Sequence, residues 1–197
     1  MSYHDDLLQQ AFELAGKNPE NPKQADLRRA VSSAYYAVFH LLIGETVANW
    51  RLDSSRNGLA RMFEHWVMAR ASERILEPKL FPFVGEDPLV VEKLRRVAEA
   101  FSLLQDMRYV ADYDNAKVWT DTDAFREIEK AATAFSAWDS IKTEKIAQDI
   151  WFPCSSNHAN RRNRFSVPHR FKKMRTIHIN NLTLSRNPEP LTPPATV

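Results

Sequence analysis

Apolar residues recur at intervals of three and four along most of the first 150 positions, which is the helical period. Residues 4–17 predict a short helix, with Leu7, Leu8, Ala11 and Leu14 on one face and Asp5 and Asp6 suited to its N-terminal dipole. Asn18-Pro19-Glu20-Asn21-Pro22 stops it. A long second helix is predicted over 23–52, carried by Leu27, Val31, Ala34, Val38 and Leu41. Asp53-Ser54-Ser55 offers N-caps for a third over 55–77, with Leu59, Phe63, Trp66 and Ile75 on its apolar side. Asp87-Pro88 then pairs an N-cap with Pro at the first helical position, opening a fourth helix to residue 113. A fifth is predicted over 123–151, striped by Phe125, Ile128, Ala132, Phe135 and Trp138. The expected fold is all-α, an antiparallel bundle of about five helices over residues 1–152.

After Phe152 the period stops. Six of the 11 Pro lie beyond it, while all five Trp and all five Tyr precede it. Charge divides the same way. Residues 1–152 hold 19 Lys and Arg against 24 Asp and Glu, a net −5; residues 153–197 hold 8 against 1, a net +7. The overall +2 describes neither part. Residues 153–197 are expected to form a disordered basic tail, with Phe165 and Phe171 among the cations. Such a tail suits nucleic acid or an acidic partner; it reads equally as a solvated arm, or as a stretch unrelated to the domain.

Composition narrows the classes further. With 4 Gly, the turns of a β-sandwich or barrel are missing. One Cys excludes a disulfide framework. No run approaches the roughly 18 apolar residues of a membrane span. The first ten residues lack the layout of a secretory signal, so a cytoplasmic location is expected, with no membrane partner. His4, His40 and His65 fall on three helices without metal-ligand spacing, and there is no G-x-x-x-x-G-K-[ST] loop. Neither a metal nor another cofactor is expected.

Two constellations could carry chemistry. On the second helix, Arg29, Ser33, Tyr36 and His40 are spaced four, three and four, with Arg28, Ser32 and Tyr35 in the row beside them. Polar groups on so apolar a helix need partners. They form either a hydrogen-bond network that fixes packing or the wall of a cleft. At the end of the fourth helix, Arg108 and Asp112 stand at i and i+4, followed by Tyr113. They form either an ion pair that helps end the helix, or a phosphate site in which Asp112 orients Arg108. In the tail, Arg162 and Arg164 precede His169 at a spacing that chance explains, and Val167-Pro168 breaks any helix there.

The stretch Leu27-Arg28-Arg29-Ala30-Val31-Ser32-Ser33-Ala34-Tyr35-Tyr36-Ala37-Val38-Phe39-His40 resembles the signature helix of HEPN domains, in the branch with an R-x-A-[IV]-S-x-A-Y-Y-A-x-F-H pattern. Arg108-x-x-Ala111-Asp112-Tyr113 is similar to that branch's second motif. The resemblance covers residues 1 to about 150. It implies a helical bundle, usually a homodimer, with the two motif helices facing each other. It further implies an RNA-directed protein: a metal-independent ribonuclease of toxin–antitoxin or defence type, or a noncatalytic module that binds a nucleotidyltransferase-like partner. In the ribonucleases, an Arg stabilises phosphate charge and a His separated from it by four to six residues moves the proton. Here the seven residues after Arg108 contain no His. The candidate catalytic set is therefore Arg108, Asp112 and His40, with Arg29, Ser33, Tyr36 and Tyr113 as binding residues.

Overall fold

A computed structural model describes residues 2–49, 63–77 and 83–151. The predicted tail, 153–197, lies outside the described residues, as does 50–62, where the third helix was expected to begin. Among the described residues there is no strand. The helices are α1 (Tyr3–Ala15), α2 (Gln24–Ala48), α3 (His65–Leu76), α4 (Pro88–Tyr113), α5 (Asp121–Asp139) and α6 (Lys145–Asp149). None of them is long and apolar enough to cross a membrane.

Local chemistry sets the starts. Ser2 and Asp5 form a capping box on α1: the Ser2 amide donates to the Asp5 carboxylate at 3.0 Å, and the Asp5 amide donates back to Ser2 Oγ at 3.4 Å. The Ser2 hydroxyl, which donates to Asp5 Oδ2 at 2.7 Å, and then the Ser2 amide hold the Asp5 carboxyl below its ordinary range. Asp87 Oδ1 accepts from the Leu89 amide at 2.8 Å, with Pro88 opening α4 as expected. Thr120 Oγ1 accepts from the Asp123 amide at 3.0 Å to start α5.

The fifth predicted helix, 123–151, is broken in two. The chain turns at Ser140, whose hydroxyl donates to the Ala137 carbonyl at 2.7 Å. A continuous helix would carry the buried row of Trp138 and Ile141 on to Lys145. The turn leaves Lys145 exposed and buries Ala147, Ile150 and Trp151 instead. The gain in buried apolar area outweighs the helical bonds given up at the break.

α2 is the central element. It packs against α1, α4 and α5. Leu27, Val31, Ala34, Val38 and Leu42 are buried, but so are Ala30, Ala37, Leu41 and Ile43 on its other faces. A helix apolar on nearly every side belongs in a core. α3 packs on α4, and α5 closes the bundle against α1, α2 and α4.

The start of α2 is tied to the far end of α4 by two polar side chains. The Arg28 guanidinium donates to three main-chain carbonyls: Ala111 at 2.8 Å, Asp114 at 2.9 Å and Lys117 at 2.7 Å. The last carbonyls of a helix have no intrahelical donor, and a cation there also suits the helix dipole. Gln24 pairs with the backbone of Trp119, donating to its carbonyl at 2.7 Å and accepting from its amide at 2.9 Å. Replacing Arg28 by Met should therefore lower the unfolding free energy by about 2–3 kcal/mol in urea titrations. Lys should restore little of it, because a point charge cannot span three carbonyls. A loss below about 0.5 kcal/mol would show that water caps α4 as well as Arg28 does.

Candidate functional site

The two rows of polar residues on α2 have different fates. Arg28, Ser32 and Tyr35 face α4 and α3, and their row continues into Phe39 and Leu42, both buried. The adjacent row, picked out by its spacing, is divided among several surroundings. Arg29 is exposed. Ser33 is buried and donates to Gln10 Oε1 on α1 at 3.1 Å. Tyr36 turns toward α4. The His40 ring packs edge-on against Tyr3 of α1, at 4.8 Å between centroids, and lies 6.5 Å from the Tyr36 ring.

Arg108 is where the two motif helices meet. Its Nη2 donates to the Tyr36 hydroxyl at 2.9 Å. Its Nε stands 2.8 Å from Asp112 Oδ2 but makes no aligned hydrogen bond, so the attraction is that of an ion pair and not a two-pronged fork. The other Asp112 oxygen accepts from Ser32 Oγ at 2.6 Å. The guanidinium also lies near the Tyr35 and Tyr36 rings, 5.9 and 5.4 Å from their centroids. Among the described residues Nη1 has no protein partner. About a quarter of each side chain remains open to water, 23% for Arg108 and 25% for Asp112. The seam is neither sealed nor freely solvated.

Beyond Arg108 the aromatic cluster holds an imidazole that helical spacing on α2 and α4 did not single out. His65, the first residue of α3, sits with Nδ1 2.7 Å from the Tyr35 hydroxyl. Its ring stacks on Phe39 at 4.1 Å and meets Tyr36 edge-on at 5.8 Å. Burial, then the charge of Arg108, then His40 push its pKa below the usual histidine value. Burial and His4 do the same to His40. Burial pushes the Tyr35 phenol well above its ordinary value, so it stays protonated. Tyr113 is exposed beyond this cluster, its ring 5.0 Å from that of Tyr109 one turn earlier on α4.

The structure thus brings Arg108, Asp112 and Tyr36 together directly, and His40 to the far side of Tyr36. It places Arg29 and Tyr113 on the surface and Ser33 against α1. Ser32, Tyr35 and His65 join the site, and Arg28 anchors the α4 turn next to it. Among the described residues no group of three His, Cys, Asp or Glu could hold a metal ion. No family model, curated protein or solved structure matches the chain.

Two outcomes follow from this geometry. Arg108→Ala should cost about 1–2 kcal/mol in urea unfolding, because the quarter-exposed Asp112 can recruit water in place of its partner. A loss of about 4 kcal/mol or more would mean that the pair is sealed. For both His40 and His65 the folded pKa lies below the unfolded value near 6.5. As pH falls through that range the unfolded chain gains protons that the folded chain refuses, so stability declines toward acid. Unfolding free energy should be lower at about pH 5.5 than at about pH 7.5, with a smaller drop in His40→Gln. A flat profile would contradict the assignment. Asp5 and Asp123, held below 3.8, act only at lower pH.

Proposed function

We propose that this chain is a HEPN-like, RNA-directed domain of toxin–antitoxin or defence type. It would act as a metal-independent ribonuclease with Arg108 as its phosphate-binding group. The observation that carries this reading is the placement of Arg108. One guanidinium, steadied by Tyr36 and Asp112, keeps an Nη1 without a partner among the described residues, and partial access to water, at the seam of the two motif helices. A phosphate oxygen is the natural acceptor for that fork. Support comes also from Tyr109 and Tyr113, exposed on the adjacent row of α4, since bases stack on such rings. Arg29, exposed on α2, supplies a second cation for the backbone. The acidic body of the domain, −5 over residues 1–152, makes any RNA contact local rather than spread over a basic face.

In this reading Asp112 orients Arg108. His40, on the far side of Tyr36 with its ring 6.5 Å away, is the imidazole of the signature pattern.

The test is cleavage of single-stranded RNA by the full chain, with Arg108→Ala beside it. Loss of a charge-stabilising donor should lower the rate by about 100- to 1000-fold while the fold melts only slightly earlier. Equal rates in the two proteins would overturn the assignment of Arg108. A second reading is favoured by the stretch 109–115, which lacks His: a noncatalytic module that forms homodimers or binds a nucleotidyltransferase-like partner. Absence of cleavage in both proteins, with a dimeric mass or stable capture of such a partner, would establish it in place of the ribonuclease.

A further inference from the structure

We propose that His65, delivered by the first turn of α3, is the proton-accepting residue of the Arg108 site, in place of the histidine that α4 lacks. This rests on the reading of the site as a ribonuclease and adds the residue that would take the 2′-hydroxyl proton.

Arg108 lies against the Tyr35 and Tyr36 rings at 5.9 and 5.4 Å. The His65 ring lies near the same two rings at 5.6 and 5.8 Å. Arg108 and His65 thus border the same two rings, so a phosphodiester held by Arg108 would lie beside the cluster that holds His65. His40 is turned the other way, toward Tyr3, at 4.8 Å. The imidazole is also held in place. Phe39 stacks on it, Tyr35 Oη is 2.7 Å from Nδ1, and Gln105 Nε2 donates to the His65 carbonyl at 3.3 Å. A base must be oriented by a third group, and Tyr35 has that place here. Both the Arg108 charge and burial favour the neutral ring, which is the form that accepts a proton at neutral pH.

The step balances without a co-reactant. It requires the tautomer in which Nδ1–H donates to the Tyr35 oxygen, which leaves Nε2 as acceptor. Nε2 takes the 2′-hydroxyl proton as the 2′-oxygen bonds to phosphorus and the bond to the 5′-oxygen breaks. Water protonates the departing oxygen, and the imidazolium returns its proton to the hydroxide so formed. The products are a 2′,3′-cyclic phosphate and a 5′-hydroxyl.

The experiment compares full-length wild type, His65→Gln and His40→Gln for binding and cleavage of a single-stranded RNA, across pH. His65→Gln should bind RNA within about twofold of wild type, cleave it about 100-fold or more slowly, and lose the acid limb of the rate profile. His40→Gln should keep that limb. A structural role for His65 would lower activity without changing the profile. Retained cleavage or a retained acid limb in His65→Gln overturns the inference and leaves Arg108 in place. RNA binding by wild type without cleavage overturns it and leaves the noncatalytic reading. Absence of RNA binding overturns both. Should His65→Gln fail to fold, nitrogen-15 spectra of wild-type histidines decide the matter. With an RNA oligonucleotide blocked by 2′-deoxy substitution, His65 should show the Nδ1–H form and a raised pKa. An Nε2–H form, or a His65 signal indifferent to the oligonucleotide, overturns the proposal.

Discussion

The meeting of α2 with the end of α4 is the constraint on which the rest of the bundle depends. α2 is buried on nearly every side, so each polar group it carries inward has to find a partner inside the bundle. α4 ends there, and its last carbonyls need donors. Arg28 answers both needs with three bonds across the seam, and Gln24 binds the Trp119 backbone one turn earlier. With that end of α4 fixed, Asp112 in its last turn and Arg108 one turn back are held against Ser32, Tyr35 and Tyr36. The geometry of the candidate site is a consequence of how the helix is terminated.

Helix positions were legible because amphipathic spacing is local. α1, α2 and α4 begin and end within a few residues of where their periods and caps place them. The break between α5 and α6 was not legible. It depends on whether Lys145 or Ile150 and Trp151 enter the core, a comparison made only once the other helices are in place. The polar stripe of α2 shows a sharper limit. Arg28 and Arg29 begin rows of the same spacing, about 100° apart. On a helix buried all round, periodicity cannot say which row meets α4. A signal was present: the Arg28 row runs on into Phe39 and Leu42, which marks it as facing the core, and Arg28 is itself the arginine of the signature pattern. His65 had no comparable signal. It comes from the start of α3, and only the packing of α3 on α4 brings it to Tyr35.

Several opposing effects are balanced at Arg108. Asp112 neutralises its charge, which would weaken a phosphate site, yet the contact is a single ion pair and leaves part of the fork open. The tyrosine rings shield it from water on one side, which strengthens whatever charge contact it makes on the other. A network with this partial exposure can fix helix packing and still exchange one partner for a ligand.

The most direct measurement follows the arginine side chains themselves, in spectra of their Nε–Hε groups, as a short single-stranded RNA is added. The Arg108 signal should shift in step with RNA occupancy while that of Arg28, committed to three carbonyls, stays in place. RNA that binds with the Arg108 signal unmoved, or that moves Arg28 as much as Arg108, would contradict the role assigned to Arg108.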